Sequence, residues 1–278
     1  MRRRWAKPGV QLDMSKPQSV AAIEASVNSL VNYMNNLGII PRQGMIMDRL
    51  SLGFFSKSVK LFRSILLLVE GGFYEEAYAL ARSSVELRFN ARWIANKDSY
   101  TRSREFFYFG AKQSKYVHET ASVYRVNHPA GLSQRLQDIA AQYKNHKEWT
   151  RVPLKERAYE PSAKVTDSDQ PAAHFGQTYE TVYWSMCSFC HVDIAALMYG
   201  RHLPRPGEEF KVSEHHEAEH DGAEHHGITA LIVSALSSLF AAQYGLEAMN
   251  MEMPEAVHAC FLEALPGWKA TRTSVPSE

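Results

Sequence analysis

The chain has 278 residues, enough for one large domain or two small ones, and its 45% hydrophobic and 22% charged content is ordinary for a soluble globular protein. A formal net charge of +1 excludes a global attraction to nucleic acid or acidic membrane, so only a local patch can supply one. Three cysteines, Cys187, Cys190 and Cys260, do not make a disulfide framework and point to a reducing, cytoplasmic setting.

Residues 1–17 carry Pro8 and Pro17 and little apolar content, which predicts a disordered arm. Their basic start has no apolar run behind it, so no secretory signal is expected. Val20, Ile23, Val27, Leu30, Val31 and Met34 form a 3.6-residue stripe that predicts a helix over Ser19–Leu37, ended by Gly38. Further helices are predicted over Met45–Glu70, closing at Gly71-Gly72, over Phe73–Lys97, over Tyr100–Arg125 and over Gly131–Lys144. Residues 145–175 are polar, with Pro153, Pro161 and Pro171, and read as a long irregular loop holding one short helix at Leu154–Tyr159. A helix over Thr178–Tyr199 follows, then a break at Pro204, Pro206 and Gly207.

The uncharged run Gly227–Leu246 has the length of a membrane span. Thr229, Ser234, Ser237, Ser238 and Gln243 dilute it, which predicts a buried core helix, reaching about Asn250, and no membrane span. Pro254 opens a last short helix to Leu265, and 266–278 is a disordered tail. Strand-like alternation is weak and confined to Glu209–Val212. The fold class is therefore all-α: an antiparallel helical bundle, with 18–265 as a single helical domain.

Most local motifs fail on context. Cys187-Ser188-Phe189-Cys190-His191 matches the C-x-x-C-H haem pattern, but it lies in a helical, apolar segment with no export signal before it. As a redox pair, Cys187 and Cys190 lack the strand-to-helix setting. His216-Glu217-Ala218-Glu219-His220 is a literal H-E-x-x-H, with His226 placed as a third zinc ligand and Glu217 as general base. The tract is rich in His and Glu throughout and lacks an apolar anchor, so His215–His226 is predicted to be an exposed, mobile connection. Phosphate-loop, dinucleotide and nucleophile-elbow fingerprints are absent. The loop 145–175 interleaves bases and aromatics, but its acidic residues cancel the charge.

Two polar constellations interrupt apolar helices. Arg82 and Glu86 sit four apart on Phe73–Lys97, with Asn90 one turn on as a ligand-binding candidate, and Ser188 and His191 sit on the Thr178 helix. An unpartnered buried charge is costly, so such residues are paired, ligated or functional.

Three segments together carry a resemblance: ALARSSVELRFNARWI, HKEWTRVPLKERA with Trp149, and YETVYWSMCSFCH with Tyr183, Ser188 and His191. They resemble a bacterial all-helical family of unknown function with R-x-x-x-E and Y-x-x-x-x-S-x-x-H motifs, over roughly residues 45 to 200. The family's shape is similar to HEPN-like and abortive-infection proteins. By analogy this implies a role in defence or RNA metabolism. An RNA partner, a protein partner and a homo-oligomer are all compatible with the sequence, which does not select among them. The HEPN ribonuclease signature itself is missing; Arg125 and His128 are too close together.

The expectation is a polar site of Arg82, Glu86, Tyr183, Ser188 and His191, with Trp149 folded over it. There His191 is the general acid/base, Arg82 holds an anion such as phosphate and Glu86 orients it. Two alternatives stand beside it. The same residues form a buried structural network in an interaction module, or His216, His220 and His226 bind a divalent metal. No other cofactor is expected.

Overall fold

The predicted stripes become helices in the computed structural model, which describes residues 18–123, 138, 141, 150, 152–160, 178–190 and 223–263. In chain order these are α1 (Gln18–Asn36), α2 (Ile46–Glu70), α3 (Tyr74–Asn96), α4 (Ser99–Val123) and α5 (Leu154–Tyr159). A π-helical turn (Tyr179–Tyr183) then runs directly into α6 (Trp184–Cys190), followed by α7 (Ala223–Ala248) and α8 (Glu255–Glu263). There is no strand among the described residues. The predicted helix Gly131–Lys144 is described only at Asp138 and Ala141, both helical, and the alternation at Glu209–Val212 lies outside the described residues.

Glycine fixes the first hairpin. Gly72 has φ +80°, a left-handed conformation that costs glycine little. It lets Phe73 N–H reach the Leu68 carbonyl (2.8 Å) while Gly72 N–H reaches that of Val69 (3.1 Å), which closes the end of α2 in a Schellman motif. The short connection turns α3 back antiparallel along α2.

The uncharged run is the central helix. α7 packs along both α2 and α3 and touches α1. Ala230, Leu231, Ala235, Leu239, Ala242 and Leu246 are fully buried against a core that includes Ile23, Val27, Phe62, Ile65, Val85 and Phe89. By length and composition His225–Ala248 could cross a membrane, but most of it is buried inside the protein. Its buried serine hydroxyls are satisfied: Ser237 donates to the Val233 carbonyl (2.8 Å), Ser238 to that of Ser234 (3.1 Å), and Ser234 shares a hydrogen bond with Ser84 of α3 (3.0 Å). Gly227 is required by close approach, since a Cβ there would run into the Tyr74 ring.

Two expectations are corrected. The segment from Thr178 begins as a π-helical turn and only then becomes α-helical. The predicted exposed connection over His215–His226 does not extend to His226. Helix α7 starts at Ala223, and the half-buried His226 ring lies on Tyr78, centroids 4.8 Å apart. That aromatic contact is an anchor the composition of the tract concealed. Burial, with the neighbouring His225, holds the His226 imidazole below its ordinary pKa.

Candidate functional site

Helix α3 is apolar almost all round, with Val85 and Phe89 fully buried and Leu87, Trp93 and Ile94 nearly so. It nonetheless carries three arginines in its middle turns. Arg88 and Arg92 are buried, 1% and 3% exposed, whereas the Arg82 side chain keeps 25% of its surface.

Arg82 faces the π-helical turn. Its Nε donates to Glu86 Oε1 (3.1 Å), and its Nη2 lies 3.0 Å from the same oxygen. Tyr183 Oη donates to Glu86 Oε1 at 2.7 Å and lies 3.4 Å from Arg82 Nε. The Arg82 guanidinium sits 5.5 Å from the Tyr183 ring centroid. Tyr179 stacks on Tyr183, centroids 5.1 Å apart and planes 17° apart, and Phe89 supports both rings from below. One turn before Arg82, the Ala79 carbonyl accepts a hydrogen bond from Cys190 Sγ at 3.1 Å. Single π-helical turns of this kind recur at functional sites.

The electrostatics follow from these contacts. Burial alone would lower the Arg82 pKa, but hydrogen bonds to Tyr183 and Cys190 and the Glu86 charge hold it above its ordinary value. Burial, and then donation to Glu86, pushes the Tyr183 phenol up, so it remains a donor at neutral pH. Burial also raises the Cys187 thiol, against the pull of Arg82.

Thus Arg82, Glu86 and Tyr183 are brought together. Ser188 is on α6, but its side chain, like the whole of His191, Trp149, His216 and His220, lies outside the described residues. Asn90 does not join the Arg82 cluster; its Oδ1 accepts a hydrogen bond from Arg157 of α5. No group of three or more metal-ligating side chains occurs among the described residues.

A second network was not legible. Arg92 donates to the carbonyls of Arg157 (3.5 Å), Ala158 (3.4 Å) and Glu160, and so holds the end of α5 on α3. Glu160 receives a bidentate pair from Arg102 (2.9 and 3.0 Å) and a hydrogen bond from Asn96 (2.9 Å). Arg102 also lies over the Trp93 ring at 3.7 Å. On its other side α5 reaches the π-helical turn through Lys155 and Tyr159, both bonded to Glu180 at 2.7 and 3.2 Å. The only sequence signal was Arg92 and Asn96, four apart on one face of α3.

Burial raises the Glu160 carboxyl, but the hydrogen bonds from Arg102 and Asn96 and the Arg102 charge outweigh it and hold the pKa below its ordinary 4.5. A depressed carboxylate contributes stability above its unfolded pKa and loses it as pH falls through the folded one. Thermal melts between about pH 5 and pH 3 should therefore steepen downward in the native chain and be flatter in Glu160→Gln. Parallel curves would show that Glu160 contributes no pH dependence.

The profile of the family described as "Family of unknown function (DUF5677)" matches residues 48–209 of the chain. The match contains Arg82, Glu86, Asn90, Trp149, Tyr183, Ser188 and His191, and ends before His216. No curated protein and no solved structure matches the chain.

Proposed function

We propose that this chain, which belongs to the DUF5677 family of unknown function, is a cytoplasmic helical protein that binds a phosphate-class anion at Arg82 and serves RNA metabolism or defence. One observation carries the reading. The same helix that buries Arg88 and Arg92 leaves the Arg82–Glu86–Tyr183 cluster at the solvent edge, with 25% and 37% of the Arg82 and Glu86 side chains exposed. A guanidinium pre-oriented by a carboxylate and a phenol is a preorganised anion clamp, because its planar donor fork matches phosphate oxygens. His191 directly follows Cys190 in the sequence. Cys190 is hydrogen-bonded one turn from Arg82, which favours the imidazole as the acid/base group of the site. Ser188, on the same helix, is the candidate hydroxyl.

Calorimetric titration of the full chain with inorganic phosphate tests this, with melts run alongside. Arg82→Gln should weaken phosphate binding by about tenfold or more, the worth of one charge-assisted contact, while the fold survives.

A second reading is favoured by how completely Arg82, Glu86 and Tyr183 satisfy one another: a structural network in an interaction module. It expects Arg82→Gln to cost stability and leave phosphate binding unchanged.

A further inference from the structure

Helix α4 plays no part in the Arg82 cluster, yet its two faces differ sharply. The inner face is pinned: Ser103 is fully buried, Arg102 is held by Glu160 and Trp93, and the Phe106 ring lies 5.2 Å from that of Phe54 on α2. The outer face repeats every four residues as Tyr100, Arg104, Tyr108 and Lys112, with Lys115 and Tyr116 a turn further on. At 100° per residue, Tyr100 through Lys115 of this set fall within a sector about 120° wide.

Arg104 bridges the first two rings. Its guanidinium is 5.3 Å from the Tyr100 centroid and 5.6 Å from that of Tyr108, and Nη1 donates to the Tyr100 hydroxyl at 3.3 Å. The Tyr108 and Tyr100 contacts hold the Arg104 guanidinium above its ordinary pKa. Tyr100 is 55% exposed and Tyr116 67%, high values for residues with large apolar rings. Glu105 is the only acid between Ser99 and Lys115, against Arg104, Lys112 and Lys115 on the stripe.

We propose that this stripe is a binding surface for single-stranded nucleic acid. Arg104, Lys112 and Lys115 take the phosphates, and Tyr100, Tyr108 and Tyr116 offer stacking platforms to the bases. Cations interleaved with exposed aromatics are what an unpaired strand uses: a charged track for its backbone and π faces for bases of any sequence. A duplex keeps its bases stacked away from such rings, and an acidic peptide would use the cations but leave the tyrosines idle. Eight helical residues rise about 12 Å, so Tyr100 and Tyr108 suit alternate bases of a spread strand. The nearly neutral chain makes this local charge the source of attraction, and binding will weaken steeply with salt. The surface is separate from Arg82 and shares with it only the class of ligand.

The test is fluorescence anisotropy of a labelled oligouridylate about 15 nucleotides long, titrated with the full chain at low and moderate salt. The native chain should bind it. Tyr100→Ala with Tyr108→Ala should weaken binding by about tenfold or more, from the lost stacking. Arg104→Gln should weaken it and reduce the salt slope by about one. Tyr100 and Arg104 are exposed and Tyr108 is half-buried, and melts establish that each variant folds. Lys60→Gln, at an exposed cation beside α1 and off the stripe, should bind the strand as the native chain does, which separates the stripe from general attraction to positive charge. The proposal is overturned if the native chain does not bind the strand, if the tyrosine pair and Arg104→Gln both bind it unchanged, or if Lys60→Gln abolishes binding as fully as they do. It is equally overturned if a duplex or an oligoglutamate binds as tightly as the strand.

Discussion

Phe89→Ala is expected to destabilise the protein by about 3–5 kcal/mol, the cost of emptying a large fully buried aromatic site. For a chain of this size that is a fall in Tm on the order of 10 °C. The effect should extend past the core. Phe89 supports Tyr179 and Tyr183, and Tyr183 holds Glu86 through its hydroxyl. The variant should therefore also weaken phosphate binding although it touches no anion. Calorimetry and melts on the same preparation check both halves. A variant that loses stability but binds phosphate normally would show that the tyrosine stack is not what positions the cluster.

Arg92→Ala is also expected to destabilise the protein, by about 1–3 kcal/mol, for a different reason. Arg92 donates to the Arg157, Ala158 and Glu160 carbonyls. An acceptor left buried without its donor costs about 1–3 kcal/mol. Arg92→Met keeps most of the apolar stem but not the donors, so it should lose nearly as much as the alanine. The segment around α5 should also become more susceptible to limited proteolysis, because its end is no longer tied to α3. If the methionine variant melts like the native chain, the arginine stem carries the stability and its hydrogen bonds do not.

These two positions show where the sequence was legible and where it was not. The sequence placed α1, α2 and α3 to within a residue or two, because a stripe ended by Gly38 marks α1 and Gly71-Gly72 divides α2 from α3. The uncharged helix was recognisable as core because its serines recur at spacings that let them bond back to their own turn or to a neighbour. The Arg82–Glu86 pair was visible as charge in an apolar run, and its link to Tyr183 follows a separation of 97 residues that only tertiary structure can supply.

The partners of Arg92 and Arg102 were hidden for the same reason. They are backbone carbonyls and one carboxylate some 60 residues later, in a segment whose composition reads as loop. The π-helical turn has no compositional signature, since it is one widened turn within a helix-forming sequence. The outer stripe of α4 is legible from its four-residue spacing, although it leaves no mark on an overall charge of +1.

The central claim, an anion clamp at Arg82, is tested most directly by following arginine side-chain NMR signals while inorganic phosphate is added to the full chain. The Arg82 Nε–H resonance, assigned by its disappearance in Arg82→Gln, should shift along a saturable single-site curve. The His191 ring signals should move with the same midpoint. An Arg82 signal that stays fixed while the α4 arginines respond would contradict the clamp and leave the Arg82–Glu86–Tyr183 cluster as a structural network.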